Sequence, residues 1–220
     1  MSRGIKFAID EYYHIFNRGT DKRSIFNGPN DSDRFFQSMI EFNTEKPIGS
    51  IYENSFRKET TDVIKPDKPL VSFLAYCLNP NHYHFILRPL SDKGIERFMH
   101  RLGTGYTNYF NEKHKRNGVL FQGSFKATHI DTNEYLLHVS AYVNLNFKIH
   151  QLGSGAPKLV VKSSWGEYTN ESAGENICDK DIVIGQFKKS HHYKKFALDA
   201  LESILERKAR EKELKALLID

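Results

Sequence analysis

"LNPNHYHFILRP", Leu78 to Pro89, is the stretch on which the fold turns. Asn79-Pro80-Asn81 is turn chemistry, because proline presets φ and asparagine side chains bond to nearby backbone. Ahead of it, "PLVSFLAYCL" (69–78) is a run of aliphatic and aromatic residues; behind it, "HYHFILRP" (82–89) is another. Two such runs on a short link read as an antiparallel hairpin. Strand side chains alternate faces. Tyr83, Phe85 and Leu87 then point to one side, and His82, His84, Ile86 and Arg88 to the other. The first set suits a core. The second puts two imidazoles about 7 Å apart at the backbone, close enough to converge on one ion. With ten histidines in 220 residues, chance alone supplies on the order of half a His-x-His per chain. The pair by itself is equally a surface face of an ordinary sheet.

Working outward, "EYYHIFNR" (11–18) reads as a strand ended by Gly19. "DSDRFFQSMIEFN" (31–43) reads as a short amphipathic helix with an acidic start. Residues 44–69 are rich in Pro, Lys, Glu and Thr without a period, so much of this segment reads as a long loop. A helix is expected over 93–116, with Gly103 and Gly105 as weak points. "GVLFQGSFKATHI" (118–130) reads as strand. "DTNEYLLHVSAYVNLNFKIH" (131–150) reads as helix, with Asp131 and Glu134 spaced like a capping box. The tail, Tyr193 to Leu218, is a charged amphipathic helix. The order β-α-β-β-α-β-α predicts an α+β fold: a mostly antiparallel sheet of the split βαβ kind with helices to one side.

Composition narrows the class. The chain is 39% hydrophobic and 27% charged, carries +5 and has a pI near 9.0. No run approaches the roughly 18 apolar residues of a membrane helix, and the N-terminus lacks a secretory h-region. Two cysteines, Cys77 and Cys178, make neither a disulfide framework nor a zinc spacing. A cytoplasmic location and no membrane partner are expected. Between Arg88 and His129, eight Lys/Arg face three acids (Asp92, Glu96, Glu112), so this segment alone carries the chain's excess charge. Phe98, Tyr106, Tyr109, Phe110, Phe121 and Phe125 are interleaved with those cations. Cations for phosphates and rings for bases are what a nucleic-acid surface needs; a solvated helix face over core aromatics would read the same way.

Helix neighbours four apart share a face. Tyr135, His138, Tyr142 and Asn146 form one stripe, and Leu136, Ser140, Val143 and Phe147 form the natural core stripe. The polar stripe must face something else, and a site on the sheet is a candidate. An amide and two imidazoles can hold a divalent metal that polarises a phosphate. A tyrosine one turn from the amide can attack phosphorus. Taken alone, Tyr142 is equally a half-buried tyrosine with its hydroxyl in water.

His82-Tyr83-His84 after Asn-Pro-Asn, "GVLFQGSFK" some forty residues on, and "EYLLHVSAYVNLN" after that resemble, jointly and in order, the HUH single-tyrosine transposases. The similarity is greatest to the REP-associated tyrosine transposase branch, with its "LFQGRFK" and "YLLHV…YIHLNP". "YHIFNRGTDKRSIF" and the Trp165 segment extend it to roughly Tyr12–Tyr168. The resemblance implies a ferredoxin-like antiparallel sheet with the histidine pair on a central strand. It implies that His82, His84 and Asn146 bind Mg²⁺ or Mn²⁺. It makes Tyr142 the nucleophile, which forms a 5′-phosphotyrosine on single-stranded DNA recognised through a hairpin. Phe147 stands where the family usually has proline, and Ser124 where it often has arginine. Arg88, Arg101, Lys126 and His138 are candidate DNA contacts. Residues 1–170 would form the catalytic domain and 171–220 a C-terminal helical extension, in a monomer or a homodimer. Two other readings are a non-catalytic binder of hairpin DNA or RNA, and a metal-dependent phosphoesterase using water.

Overall fold

Antiparallel pairing of the two apolar runs builds the centre of the sheet. Strand β2 (Val71–Asn79) pairs with β3 (His82–Pro89), from Val71 opposite Pro89 to Asn79 opposite His82. Strand β1 (Tyr12–Arg18) lies on the other side of β3, with Phe16 opposite His84 and Arg18 opposite His82. Strand β4 (Lys126–Ile130) pairs with β1, and β5 (Lys162–Ser163) pairs with β2. The order is β4-β1-β3-β2-β5, antiparallel throughout. The first four strands give the ferredoxin-like arrangement expected for a split βαβ unit. This computed structural model describes residues 5–56, 68–150, 161–171 and 176–217.

Helices cover both faces of the sheet, not one. Helices α1 (Pro29–Glu41) and α3 (Gly94–Lys113) pack on the face carrying Tyr83, Phe85 and Leu87, where Phe35, Met39, Phe98, Leu102 and Tyr106 complete the core. The opposite face takes α4 (Asn133–Asn144), α5 (Asn146–His150), α6 (Trp165–Thr169) and α8 (Ser190–Leu217), with α7 (Asp181–Ile184) between the last two. There Leu136, Val143, Tyr168, Tyr193 and Ala197 bury Ala75, Cys77 and Ile86. The second layer exists because β2 breaks its alternation: a register shift between Phe73 and Ala75 turns both Leu74 and Ala75 toward α4. The Leu74 carbonyl accepts a 2.7 Å bond from the Tyr168 hydroxyl. A bulge therefore supplies apolar surface on the face that would otherwise be polar.

Several expected elements move. The segment read as loop, 44–69, holds a five-residue helix α2 (Ile51–Ser55), closed by a Ser50–Glu53 capping box; residues 57–67 lie outside the described residues. Of 118–130, only the last five residues form a strand. The preceding turn needs Gly118 and Gly123 at positive φ, and forms a bridge between Phe121 and Gly19, just beyond β1. Helix α3 runs unbroken through Gly105, where a Cβ would come within 2.6 Å of the Phe42 ring. That glycine sets how closely α3 lies on the end of α1. The N-cap of α4 is Thr132, which accepts from Tyr135 N at 3.1 Å, not Asp131.

One buried carboxylate fastens α1 to α3. Asp31, fully buried, accepts from Asn27 N, Lys113 Nζ at 2.6 Å and His114 Nε2 at 2.9 Å. Burial opposes its charge, but the Lys113, Asn27 and His114 bonds prevail and hold it below the usual carboxylate range. A carboxyl lowered on folding stabilises the fold above its unfolded pKa, and that contribution is lost as pH falls through the folded value. Asp31→Asn should cost about 1–3 kcal/mol in urea unfolding at pH 7. It should also flatten the loss of stability of the wild type on acidification below about pH 4. An unchanged acid limb in the variant would show that other carboxylates carry it.

Candidate metal and tyrosine site

The site lies where the β2–β3 turn meets the junction of α4 and α5. The sequence predicts one continuous helix through this junction, but the helix breaks at Leu145 (φ −107°, ψ 10°). In a regular helix, residues two apart point to nearly opposite sides. Asn144 and Asn146 are both fully buried, each with its own partners, and the backbone yields between them. Asn144 Nδ2 donates to Tyr193 Oη at 2.7 Å, and Asn144 Oδ1 accepts from Ser164 Oγ at 2.5 Å. Ser164 Oγ in turn accepts from Tyr76 N at 2.9 Å. This network ties α4 to α8 and to the sheet. Asn146 Oδ1 accepts from Asn79 Nδ2 at 2.9 Å and stands 3.0 Å from His82 Nε2.

The hydrogen bonds fix the tautomer of His82. Asn81 Nδ2 donates to the Lys22 carbonyl at 3.2 Å, so Asn81 Oδ1 is the atom that faces His82 Nδ1, at 2.6 Å. An amide oxygen only accepts, so His82 carries its proton on Nδ1 and its Nε2 is a lone pair. Asn79 Nδ2 donates to that nitrogen at 3.1 Å as well as to Asn146 Oδ1. Two acceptors, His82 Nε2 and Asn146 Oδ1, therefore face each other and share one amide donor. Asn146 Nδ2 is buried with no hydrogen-bond partner within bonding distance among the described residues, while its oxygen is turned toward His82. Adjacent ligands at about 2.1 Å around a small octahedral ion stand about 3.0 Å apart, the 3.0 Å separation found here. The donor set fits a divalent cation.

His84, largely buried, lies with its ring 5.2 Å from that of His82. Tyr142 of the same chain meets His84 edge-on, with centroids 5.5 Å apart. His82, His84, Asn146 and Tyr142 are thus brought together. Burial lowers the pKa of His82, against the pull of Asn146, and Lys208 and Arg18 lower it further. A neutral imidazole is the form a metal needs. Burial raises the Tyr142 phenol, with the nearby Asn146 amide drawing it partly back.

Of the candidate DNA contacts, Lys126 is the one that lies near the site. It is exposed opposite Phe16 on β4, two strand spacings, or about 10 Å, from His84. Arg88 sits at the far end of β3 and pairs with Asp179 at 2.9 Å. Arg101 donates from α3 to the Thr44 and Glu45 carbonyls. His138 is exposed on α4, its ring 5.2 Å from Phe196 of α8. Four residues beside the site carry no mark in the sequence: His14, Arg18, Asn79 and Asn81. The asparagines are legible there only as turn residues. His14 and Arg18 emerge only on pairing β1 with β3, which sets Phe16 and Arg18 opposite the two histidines. The "FQGS" turn buttresses that end of β1. Gln122 accepts from Arg18 Nε, and Gly123 O accepts from Asn17 Nδ2 at 3.1 Å.

The family described as Transposase IS200 like matches residues 8–146. The chain belongs to the IS200-like transposase family. Membership places it among DNA-processing enzymes, in a family whose transposases are generally metal-dependent. The chain is also similar to a solved structure of a REP-associated tyrosine transposase bound to a REP hairpin, at 12% identity and a TM-score of 0.53 over 81% of this chain and 94% of that one. That likeness shows a common fold. A search of curated proteins finds no match. Among the described residues no helix is long and apolar enough to cross a membrane.

The Asn144–Tyr193–Ser164 network predicts that Tyr193→Phe, which keeps the ring and removes the hydroxyl, costs about 1–3 kcal/mol by leaving the Asn144 amide unpaired. Equilibrium urea unfolding measures it. A cost near zero would mean that α8 is not braced through this hydroxyl.

Proposed function

We propose that this IS200-like transposase is a metal-dependent endonuclease and strand transferase for single-stranded DNA, with Tyr142 as its nucleophile. The observation that supports this best is the convergence of two lone pairs, His82 Nε2 and Asn146 Oδ1, beside His84 and within one helical turn of Tyr142. In this reading His82, His84 and Asn146 hold Mg²⁺ or Mn²⁺. A cation there would supply Lewis-acid polarisation of a non-bridging phosphate oxygen.

The chain's own groups account for the remaining chemistry. Tyr142 Oη attacks phosphorus and gives up its proton to solvent; the bond from phosphorus to the 3′ oxygen breaks, and that oxygen takes a proton from solvent and leaves as a 3′-OH. The product is a 5′-phosphotyrosine ester. Because the ester conserves the phosphodiester bond energy, a second 3′-OH can displace Tyr142 and rejoin the strand without a nucleotide cofactor. Burial holds the phenol protonated at neutral pH, so attack is coupled to arrival of the phosphate and its cation. Arg18, opposite His82, and exposed Lys208 on α8 place positive charge beside the site for the phosphates that flank the cut. The solved relative carries a REP hairpin, and single-stranded DNA with a hairpin is the substrate proposed here. Residues 1–170 would then be the catalytic domain, with 171–220 as a helical extension bracing the tyrosine helix.

Incubation with labelled single-stranded hairpin oligonucleotides and Mn²⁺, followed by a denaturing gel, tests the reading. A labelled protein band is expected from wild type and not from Tyr142→Phe or from chelated wild type, while Tyr142→Phe keeps DNA binding on a native gel. Cleavage undiminished in Tyr142→Phe would mean that water, not Tyr142, is the nucleophile. Binding by wild type without any adduct would point to a hairpin-binding module.

A further inference from the structure

We propose that His14 is a positioning residue: it holds the His84 imidazole in its Nδ1–H tautomer, so that Nε2 is the nitrogen offered to a divalent cation. The proposal rests on the metal reading above. It concerns a residue that would itself bind neither the cation nor the DNA.

An imidazole can bind a metal only through an unprotonated nitrogen, and the partner of its other nitrogen decides which one that is. For His82 the partner is Asn81 Oδ1, which can only accept, so the outcome is fixed. For His84 the partner of Nδ1 is His14 Nε2, at 2.9 Å. An imidazole nitrogen can donate or accept, so the two rings are locked to each other. Either His84 carries its proton on Nδ1 and His14 Nε2 accepts, or His14 donates and His84 is left protonated on Nε2. Only the first arrangement adds a third lone pair to those of His82 Nε2 and Asn146 Oδ1.

The surroundings make His14 a rigid partner. It stands on β1 with its ring nearly coplanar with that of His84, centroids 5.1 Å apart and planes at 19°, as a bond between ring nitrogens requires. Phe16 lies on one side at 5.0 Å, and Tyr142 meets it edge-on at 6.0 Å. The same ring thus supports His84 and borders the nucleophile.

The test uses full-length protein with His14→Phe, which keeps an aromatic plane and loses the acceptor, and His14→Gln, whose amide oxygen can take the place of Nε2. Histidine ¹⁵N NMR of the metal-free proteins reads the tautomer of His84, and calorimetry with Mn²⁺ alone reads affinity. Wild type and His14→Gln should show His84 protonated on Nδ1. His14→Phe should lose that preference and bind Mn²⁺ about 10–100-fold more weakly, with His14→Gln close to wild type. A wild-type His84 protonated on Nε2, or a His14→Phe protein with unaltered tautomer and affinity, would overturn the proposal. Equal losses in both variants would also overturn it, because His14 would then be needed only for packing. A wild type that binds no Mn²⁺, yet whose His84 tautomer follows His14 as expected, would overturn the metal reading and leave the coupling between the two rings standing.

Discussion

The 2.9 Å bond from Asn79 Nδ2 to Asn146 Oδ1 is the joint between fold and site. It connects the last residue of β2 to the first residue of α5, across 67 positions of sequence. Both side chains are buried, and a buried amide left without partners costs on the order of 1–3 kcal/mol, so each depends on the other. The bond pins the end of the tyrosine helix to the hairpin turn. It also decides which atom of Asn146 faces His82, and so gives the site two acceptors instead of a donor and an acceptor. Tyr142, one turn earlier on α4, inherits its position from the same contact.

The sheet is covered twice because of the bulge in β2. A split βαβ sheet closes its core with two helices on one face, as α1 and α3 do here. The other face carries His14, Phe16, His82 and His84 along its strands, too polar to bury as a whole. The bulge at Leu74 divides it. The end of β2 near the bulge becomes apolar and takes α4, α6 and α8, and the end near the turn stays polar. Helix α8 buries Tyr193, Ala197 and Leu201 against α4, while exposed Lys208 further along contributes positive charge felt at His82. One helix thus braces the tyrosine helix and biases the field at the imidazoles.

What can be read from the sequence follows the range of the interactions involved. The hairpin is legible because its register is set by local turn chemistry and by period-two alternation. His82 and His84 are legible because two residues apart on a strand is a local relation, and Tyr142 with Asn146 because four apart on a helix is another. The break at Leu145 is not, because it is imposed by the distant partners of Asn144 and Asn146. The extent of β4 is overestimated because "GVLFQGSF" has strand composition but glycines that demand positive φ. Arg88 and Arg101 look like free cations until the structure gives them Asp179 and the carbonyls of residues 44 and 45. His14 is invisible for the same reason as the break: its significance arises from the β1–β3 pairing and not from its neighbours in sequence.

The chemistry of the site follows from its charge. Among the described residues no group of three His, Cys, Asp or Glu side chains is placed to hold a metal ion; the converging set is two imidazoles and an amide, none of which carries negative charge. Carboxylate ligands would cancel much of a divalent charge before any phosphate arrived. Neutral ligands leave it intact, and Arg18, Lys208 and Lys126 add to it. Under the proposed function such a site would bind its cation weakly alone and more strongly together with an anion, which would tie metal and DNA binding to one another. The same set is softer than the all-oxygen shell that Mg²⁺ prefers, which ranks Mn²⁺ above Mg²⁺ in this reading. Burial raises the Tyr142 phenol further above its ordinary range, so in the proposed reading the attacking oxygen would depend on the phosphate and its cation to lose its proton.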